Sequence, residues 1–152
     1  LADLLCRHYG QPASITETPG CGAAGGIGFG LKVACGAQFL PGFELVEAWL
    51  ELPARIAEAD LVLTGEGKFD RSSLAGKGPY ALLRAAARSG KRAALLAGAL
   101  DPEVAAELAR EFPKLRAAAI SPPGLALDDA LARGPENLEL AARSLLQAMG
   151  EA

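Results

Sequence analysis

The chain has 152 residues, 51% of them apolar, 22% charged and 5% aromatic, with a formal net charge of −3. So high a hydrophobic content with so little net charge excludes intrinsic disorder, and a chain of this length can bury a core without disulfide or metal staples. The balance of 15 basic to 18 acidic residues and an isoelectric point near 5.2 exclude the electrostatic footprint of a nucleic-acid or membrane-surface protein, and no apolar run reaches the length of a bilayer span.

The cysteines are Cys6, Cys21 and Cys35, an odd number with no Cys-x-x-Cys pair, and His8 is the sole histidine. This excludes a disulfide scaffold and a structural zinc site, and makes a reducing, cytoplasmic location the expectation. Leu1 already sits in a helical pattern with no signal or transit segment, so residues upstream are expected to have been lost or cleaved.

Leu1, Leu4, Leu5 and His8 recur at helical spacing before Gly10, so Leu1–Tyr9 is predicted as a helix. Gln11–Thr18 is polar and turn-like. Pro19–Gly30 reads PGCGAAGGIGFG, and from Ala23 to Cys35 the small residues followed by Ile27, Leu31 and Ala34 predict a closely packed helix that opens at the glycines. Ala37–Leu40 reads as a short strand before the Pro41-Gly42 turn, Phe43–Leu50 as an amphipathic helix and Pro53–Glu58 as a second short one.

The texture then changes. Ala59–Thr64, Arg92–Ala97 and Leu115–Ile120 are apolar runs of strand length, the mark of parallel strands buried on both faces. Between them, Gly65–Gly78 is a polar loop of fourteen residues, Pro79–Ser89 a helix ended by Gly90, and Asp101–Arg110 a helix with Asp101 as cap and Pro102 as first residue. Leu127–Arg133 and Pro135–Met149 are predicted as the last helices. This alternation predicts an α/β fold: a parallel sheet with flanking helices, a Rossmann-like half, preceded by a glycine-rich helical segment. The expected division is 1–52, the glycine-rich segment completing a domain partly missing upstream, and 53–152, the α/β segment, with the joint near Leu52-Pro53.

Ligands of such sheets bind beyond the carboxyl ends of the strands, which selects Gly65–Gly78, Gly98–Asp101 and Ser121–Gly124. Gly20 to Gly25 spells the dinucleotide pattern G-x-G-x-x-G, but no strand precedes it and no acidic residue ends a second strand about 20 residues on. No Lys-Ser or Lys-Thr follows the glycines, so it is no Walker A loop. The surviving reading is an anion site on the backbone N–H groups of Gly22, Gly25 and Gly26; the competing one is that small residues let a helix lie close to a neighbour.

The segment TGEGKFDRSSLAGKG, Thr64 to Gly78, gathers Glu66, Lys68, Asp70, Arg71 and Lys77 with three hydroxyls, and Gly65 and Gly67 flank Glu66. Carboxylates, lysines and hydroxyls are the inventory of phosphoryl transfer: Mg²⁺ wants carboxylate oxygen, phosphate wants a cation, and the attacking hydroxyl wants a base. Glu66, Asp70 and Lys77 are therefore the candidate catalytic residues, with Glu66 or Asp70 the candidate Mg²⁺ ligand. Thr64, Gly65 and Ser73, with Gly22, Gly25 and Gly26, are the candidate groups for binding substrate or phosphate. The bland alternative is a solvated surface loop. Gly98 admits a ligand closely or is a plain turn, His8 reads as a helix-surface residue, and Trp49 joins Leu45 and Leu52 as core or interface.

Two stretches carry a resemblance: Pro19-Gly20-Cys21-Gly22-Ala23-Ala24-Gly25-Gly26, and Ala59 to Asp70 continuing through Ser73-Leu74-Ala75-Gly76-Lys77-Gly78-Pro79. With Leu40-Pro41-Gly42 between them, they closely resemble the bacterial glycerate kinase family, the type with two α/β domains, over nearly the whole chain. Cys21 stands where that family usually has alanine. The resemblance implies an ATP- and Mg²⁺-dependent kinase that acts on the small molecule glycerate and forms phosphoglycerate. The family's chains also carry an aspartate-serine-phenylalanine-lysine-glycine segment and an aspartate-glycine-glycine-glutamate segment, both absent here, so the resemblance implies a C-terminal portion. A non-catalytic anion- or sugar-acid-binding α/β regulatory module is the alternative from another class.

Overall fold

The computed structural model describes residues 1–150. The chain divides into two compact units, Leu1–Leu45 and a second that begins at Val46.

In the first unit, α1 (Ala2–His8) leads through a 3₁₀ helix, Ala13–Glu17, and a 3₁₀ turn, Ala23–Gly26, to α2 (Ile27–Cys35). Its small core is built on Cys6, Cys21 and Val33, and the Cys21 thiol donates to the Ile15 carbonyl at 3.2 Å. The helix expected over Ala23–Cys35 begins only at Ile27. Ala24, Gly25 and Gly26 all take left-handed backbone, at φ 50°, 70° and 89°. The two glycines do so freely; Ala24 does so at a cost of roughly 1–2 kcal/mol. The expected strand at Ala37–Leu40 is irregular chain, and Phe39 within it lays its ring against Gly20 and Gly28. A Cβ at Gly28 would come within 3.1 Å of that ring, so the glycine admits the aromatic side chain.

Helix α3 (Gly42–Trp49) carries the chain across the division, and α4 (Leu52–Glu58) opens the α/β part. Strands β1 (Leu61–Phe69), β2 (Arg92–Leu100) and β3 (Leu115–Ala119) form one sheet in that order, both pairs parallel, as expected from the apolar runs. Helix α5 (Gly78–Arg88) joins β1 to β2, α6 (Pro102–Glu111) joins β2 to β3, and α7 (Leu127–Ala132) and α8 (Gly134–Gly150) follow. One face of the sheet packs Val62, Leu95 and Leu115 against Ile56 of α4, Leu83 of α5 and Leu108 of α6. The other packs Ala94 and Leu96 against Leu145 and Met149 of α8. Burying a leucine as fully as Leu95 or Leu108 contributes about 1.5–3 kcal/mol each. Arg92 fixes the far end of α8 by donating to the Met149 carbonyl at 2.9 Å.

One element differs from expectation. Gly65–Gly78 is not a loop throughout: its first five residues continue β1, paired with Leu96 to Leu100 of β2. Two glycines make room for this. A Cβ at Gly65 would run into the Leu96 carbonyl, and one at Gly98 into the Gly67 carbonyl. Gly98 is thus a residue of β2, and its missing side chain serves the neighbouring strand. The pleat also slips there: Ala93, Leu95 and Ala97 share one face of the sheet, and the next residue of β2 on that face is Leu100.

Candidate active-site cleft

Beyond the carboxyl ends of the strands lies an open cleft of about 990 Å³. Its walls come from Leu63–Lys68 of β1, from Gly98 to Leu100 of β2, and from Ser121–Gly124 after β3, so that of the three segments the sheet rule selects the last lines it whole, the second up to Leu100, and Gly65–Gly78 only through its first four residues. Leucines of α7 and α8, among them Leu131 and Leu138, complete an apolar wall. A cleft of this kind, apolar with a few convergent polar groups, is the usual form of a small-molecule site.

Thr64, Gly65 and Glu66 all line the cleft. Glu66 stands out chemically: its Oε1 is buried and has no hydrogen-bond partner among the described residues. An acceptor kept from water and left unpaired costs about 1–3 kcal/mol, which a ligand's donor or a cation recovers.

Asp70, Ser73 and Lys77 do not line the cleft; they form a network around the 3₁₀ turn Arg71–Ala75 that leaves β1. Asp70 caps this turn. Its Oδ1 accepts from the Ser72 backbone N–H at 2.9 Å and from the Ser72 hydroxyl at 2.7 Å. Its Oδ2 lies 3.1 Å from the Lys68 ammonium. The Ser72 hydroxyl, then the Lys68 side chain and the Ser72 N–H, hold the Asp70 carboxyl at a pKa of about 2, well below the usual 3.8. The fully buried Ser73 returns a bond by accepting from the Asp70 N–H at 3.3 Å, and Lys77 donates to the Ser72 hydroxyl at 2.9 Å. Lys68, present in the charged inventory but not among the candidate residues, is the ammonium that reaches both places: it lines the cleft and pairs with Asp70. Its position on the strand, next to Gly67, could have nominated it had β1 been read as running past Thr64.

Gly22, Gly25 and Gly26 lie in the first unit. Gly26 is the cap of α2, whereas Gly22 and Gly25 belong to the turn before it, so of the three only Gly26 stands at the helix start itself.

The fit of Mg²⁺ follows from these partners. No group of three His, Cys, Asp or Glu side chains among the described residues is placed to hold a metal. Asp70 has both oxygens engaged, whereas Glu66 has neither oxygen in a hydrogen bond or ion pair among the described residues, and its Oε1 is also buried. A single carboxylate suits Mg²⁺, which keeps several waters and takes its other ligands from substrate phosphate.

Residues 1–150 match the sequence profile of the glycerate kinase family. The chain belongs to this family. It is 34% identical over 144 residues to glycerate kinase of Halalkalibacterium halodurans, an overlap covering 95% of this chain and 37% of that one. It is 38% identical over 90 residues to glycerate 2-kinase of Escherichia coli K12, covering 59% of this chain and 24% of the relative. A crystal structure from Salmonella typhimurium LT2, assigned as a glycerate kinase 2, superposes with a TM-score of 0.60 at 31% identity, over 99% of this chain and 38% of its own. The chain therefore spans well under half the length of the glycerate kinases it matches. The likeness drawn from the PGCGAAGG and TGEG–D–GK–P stretches is borne out, as is the α/β architecture.

Proposed function

We propose that the polypeptide carrying this chain is an ATP-dependent glycerate kinase, transferring the γ-phosphoryl group to a hydroxyl of glycerate to give phosphoglycerate. The observation that carries the reading is the unpaired Glu66 Oε1 in a cleft that also holds the Lys68 ammonium, at the carboxyl ends of a parallel sheet. Family membership supplies the substrate.

Glu66 is the residue to hold Mg²⁺, with phosphate oxygens and water; bound there, the ion neutralises charge on the transferring group. Lys68 brings a positive charge to the same space, and Thr64 offers a hydroxyl to an anionic oxygen. We assign Asp70 to anchoring rather than proton transfer. A carboxylate with a pKa of about 2 and both oxygens engaged is a weak base. Lys77 adds a second cation beside Asp70, held through Ser72. Gly65 and Ser73 serve the architecture: Gly65 lets β1 approach β2, and Ser73 closes the capping turn. The glycine turn at Gly22–Gly26 is proposed as a further anion contact of the whole enzyme. The location proposed is the cytoplasm, which suits the free thiols of Cys6, Cys21 and Cys35; no described helix is long and apolar enough to cross a membrane.

A coupled assay of ADP release on the full polypeptide tests this. Release that requires both glycerate and Mg²⁺ supports the kinase. Glycerate binding without ADP release favours the non-catalytic binding module instead.

A further inference from the structure

We propose that Ser72 is a positioning residue, the hydrogen-bond node that ties Lys77 to the carboxylate of Asp70, whose other oxygen pairs with Lys68. The proposal rests on the kinase reading above and concerns how its cations are set in place.

The two oxygens of Asp70 have different partners. Oδ2 is taken by Lys68, at 3.1 Å. Oδ1 is taken entirely by Ser72, through its backbone N–H at 2.9 Å and its hydroxyl at 2.7 Å. Lys77 meets the carboxylate only through the Ser72 hydroxyl, to which its ammonium donates at 2.9 Å. The chain runs Lys68, Asp70, Ser72, Lys77, one negative charge between two positive ones; its one excess positive charge balances the Glu66 carboxylate in the cleft and is left over once a cation neutralises Glu66. An anion such as a phosphoryl group is the matching partner.

A hydroxyl suits this position, because its single oxygen donates a hydrogen bond to Asp70 and accepts one from Lys77 at the same time. The turn that presents it is fixed from below, because the buried Ser73 closes the capping box on Asp70. Lysine side chains carry large rotamer freedom, and a lysine already held in one place loses less of it when a phosphate arrives. Ser72 itself is exposed and packs into no core, so removing its hydroxyl costs the fold no more than the bonds it makes to Asp70 and Lys77.

The full polypeptide is compared with Ser72→Ala, Ser72→Thr, Lys77→Met and the double variant Ser72→Ala/Lys77→Met. Ser72→Ala is expected to lower kcat/KM for ATP about tenfold, and Ser72→Thr to stay within about twofold because it keeps the hydroxyl. The double variant should fall by clearly less than the product of the two single losses, since both changes remove the Ser72–Lys77 bond. Carbon-13 NMR of the Asp70 carboxyl gives a readout apart from turnover: its titration should move up from about 2 in Ser72→Ala and return in Ser72→Thr. Multiplying losses in the double variant, failure of threonine to rescue, or an unmoved Asp70 titration each overturn the proposal. If the unaltered protein releases no ADP with glycerate, the kinase reading fails, and binding of inorganic phosphate decides the proposal instead. Phosphate affinity weakened about tenfold by Ser72→Ala and restored by Ser72→Thr keeps it; affinity unchanged in Ser72→Ala overturns it.

Discussion

Asp70, a candidate catalytic residue by its place in the sequence, caps a turn and pairs with Lys68 in the structure, and we read it as an anchor. Its pKa is depressed from 3.8 to about 2, so its bonds with Ser72 and Lys68 are made by the charged form. The stability they contribute is complete above the usual carboxylate range and is lost as pH falls from about 4 through about 2. Acid unfolding of Asp70→Asn should therefore lack that part of the pH dependence; an acid limb identical to the unaltered protein's would contradict the assignment. Gly65 is the other residue with a sharp expectation. A methyl group there meets the Leu96 carbonyl, a backbone atom that cannot rotate away. Gly65→Ala should cost about 1–3 kcal/mol in denaturant unfolding, while Gly67→Ala, with open space around it, should cost less than about 1 kcal/mol. Equal costs at the two glycines would remove the close-approach argument.

Elements announced by local chemistry are the ones legible in the sequence. Asp101 followed by Pro102 marks the start of α6, and the Asp101 carboxylate does accept from the N–H groups of Glu103 and Val104, at 2.9 and 3.2 Å. Asp101→Ala should cost about 0.5–2 kcal/mol, measured by chemical denaturation; no loss would show the cap to be idle. Strand β2 was legible because Ala93 to Ala97 are buried on both faces of the sheet, which only an apolar run satisfies. The second half of β1 was not. Gly65–Phe69 carries glycines and two charges and has the composition of a loop; what makes it a strand is pairing with β2, a tertiary effect with no periodicity to betray it. The unread half of β1 hid Lys68 on the cleft wall, whereas Glu66, nominated by its chemistry and its flanking glycines, lines that wall as well. The left-handed turn at Ala24 was equally hidden, because alanine between glycines reads as helix and only the surrounding turn forces its backbone over.

At the scale of the molecule, the chain holds a three-stranded parallel sheet with helices on both faces and a cleft at its carboxyl ends, and matches about 37% of the length of a glycerate kinase relative. Phosphoryl transfer draws on several parts at once, positioned together. The 152 residues alone are therefore expected to turn over glycerate at least about 100-fold more slowly than the full polypeptide, a difference of roughly 2.7 kcal/mol in barrier. Near-equal rates would mean that the described residues suffice. The central claim, that the cleft at the end of β1 works through Glu66, is tested most directly by kcat of Glu66→Gln in the full polypeptide, measured beside its unfolding midpoint. The substitution keeps the shape and removes the charge. The account predicts a fall in kcat of about 100-fold or more with stability unchanged or raised, because the unpaired Oε1 contributes nothing to the fold. A kcat within about twofold of the unaltered enzyme would contradict it.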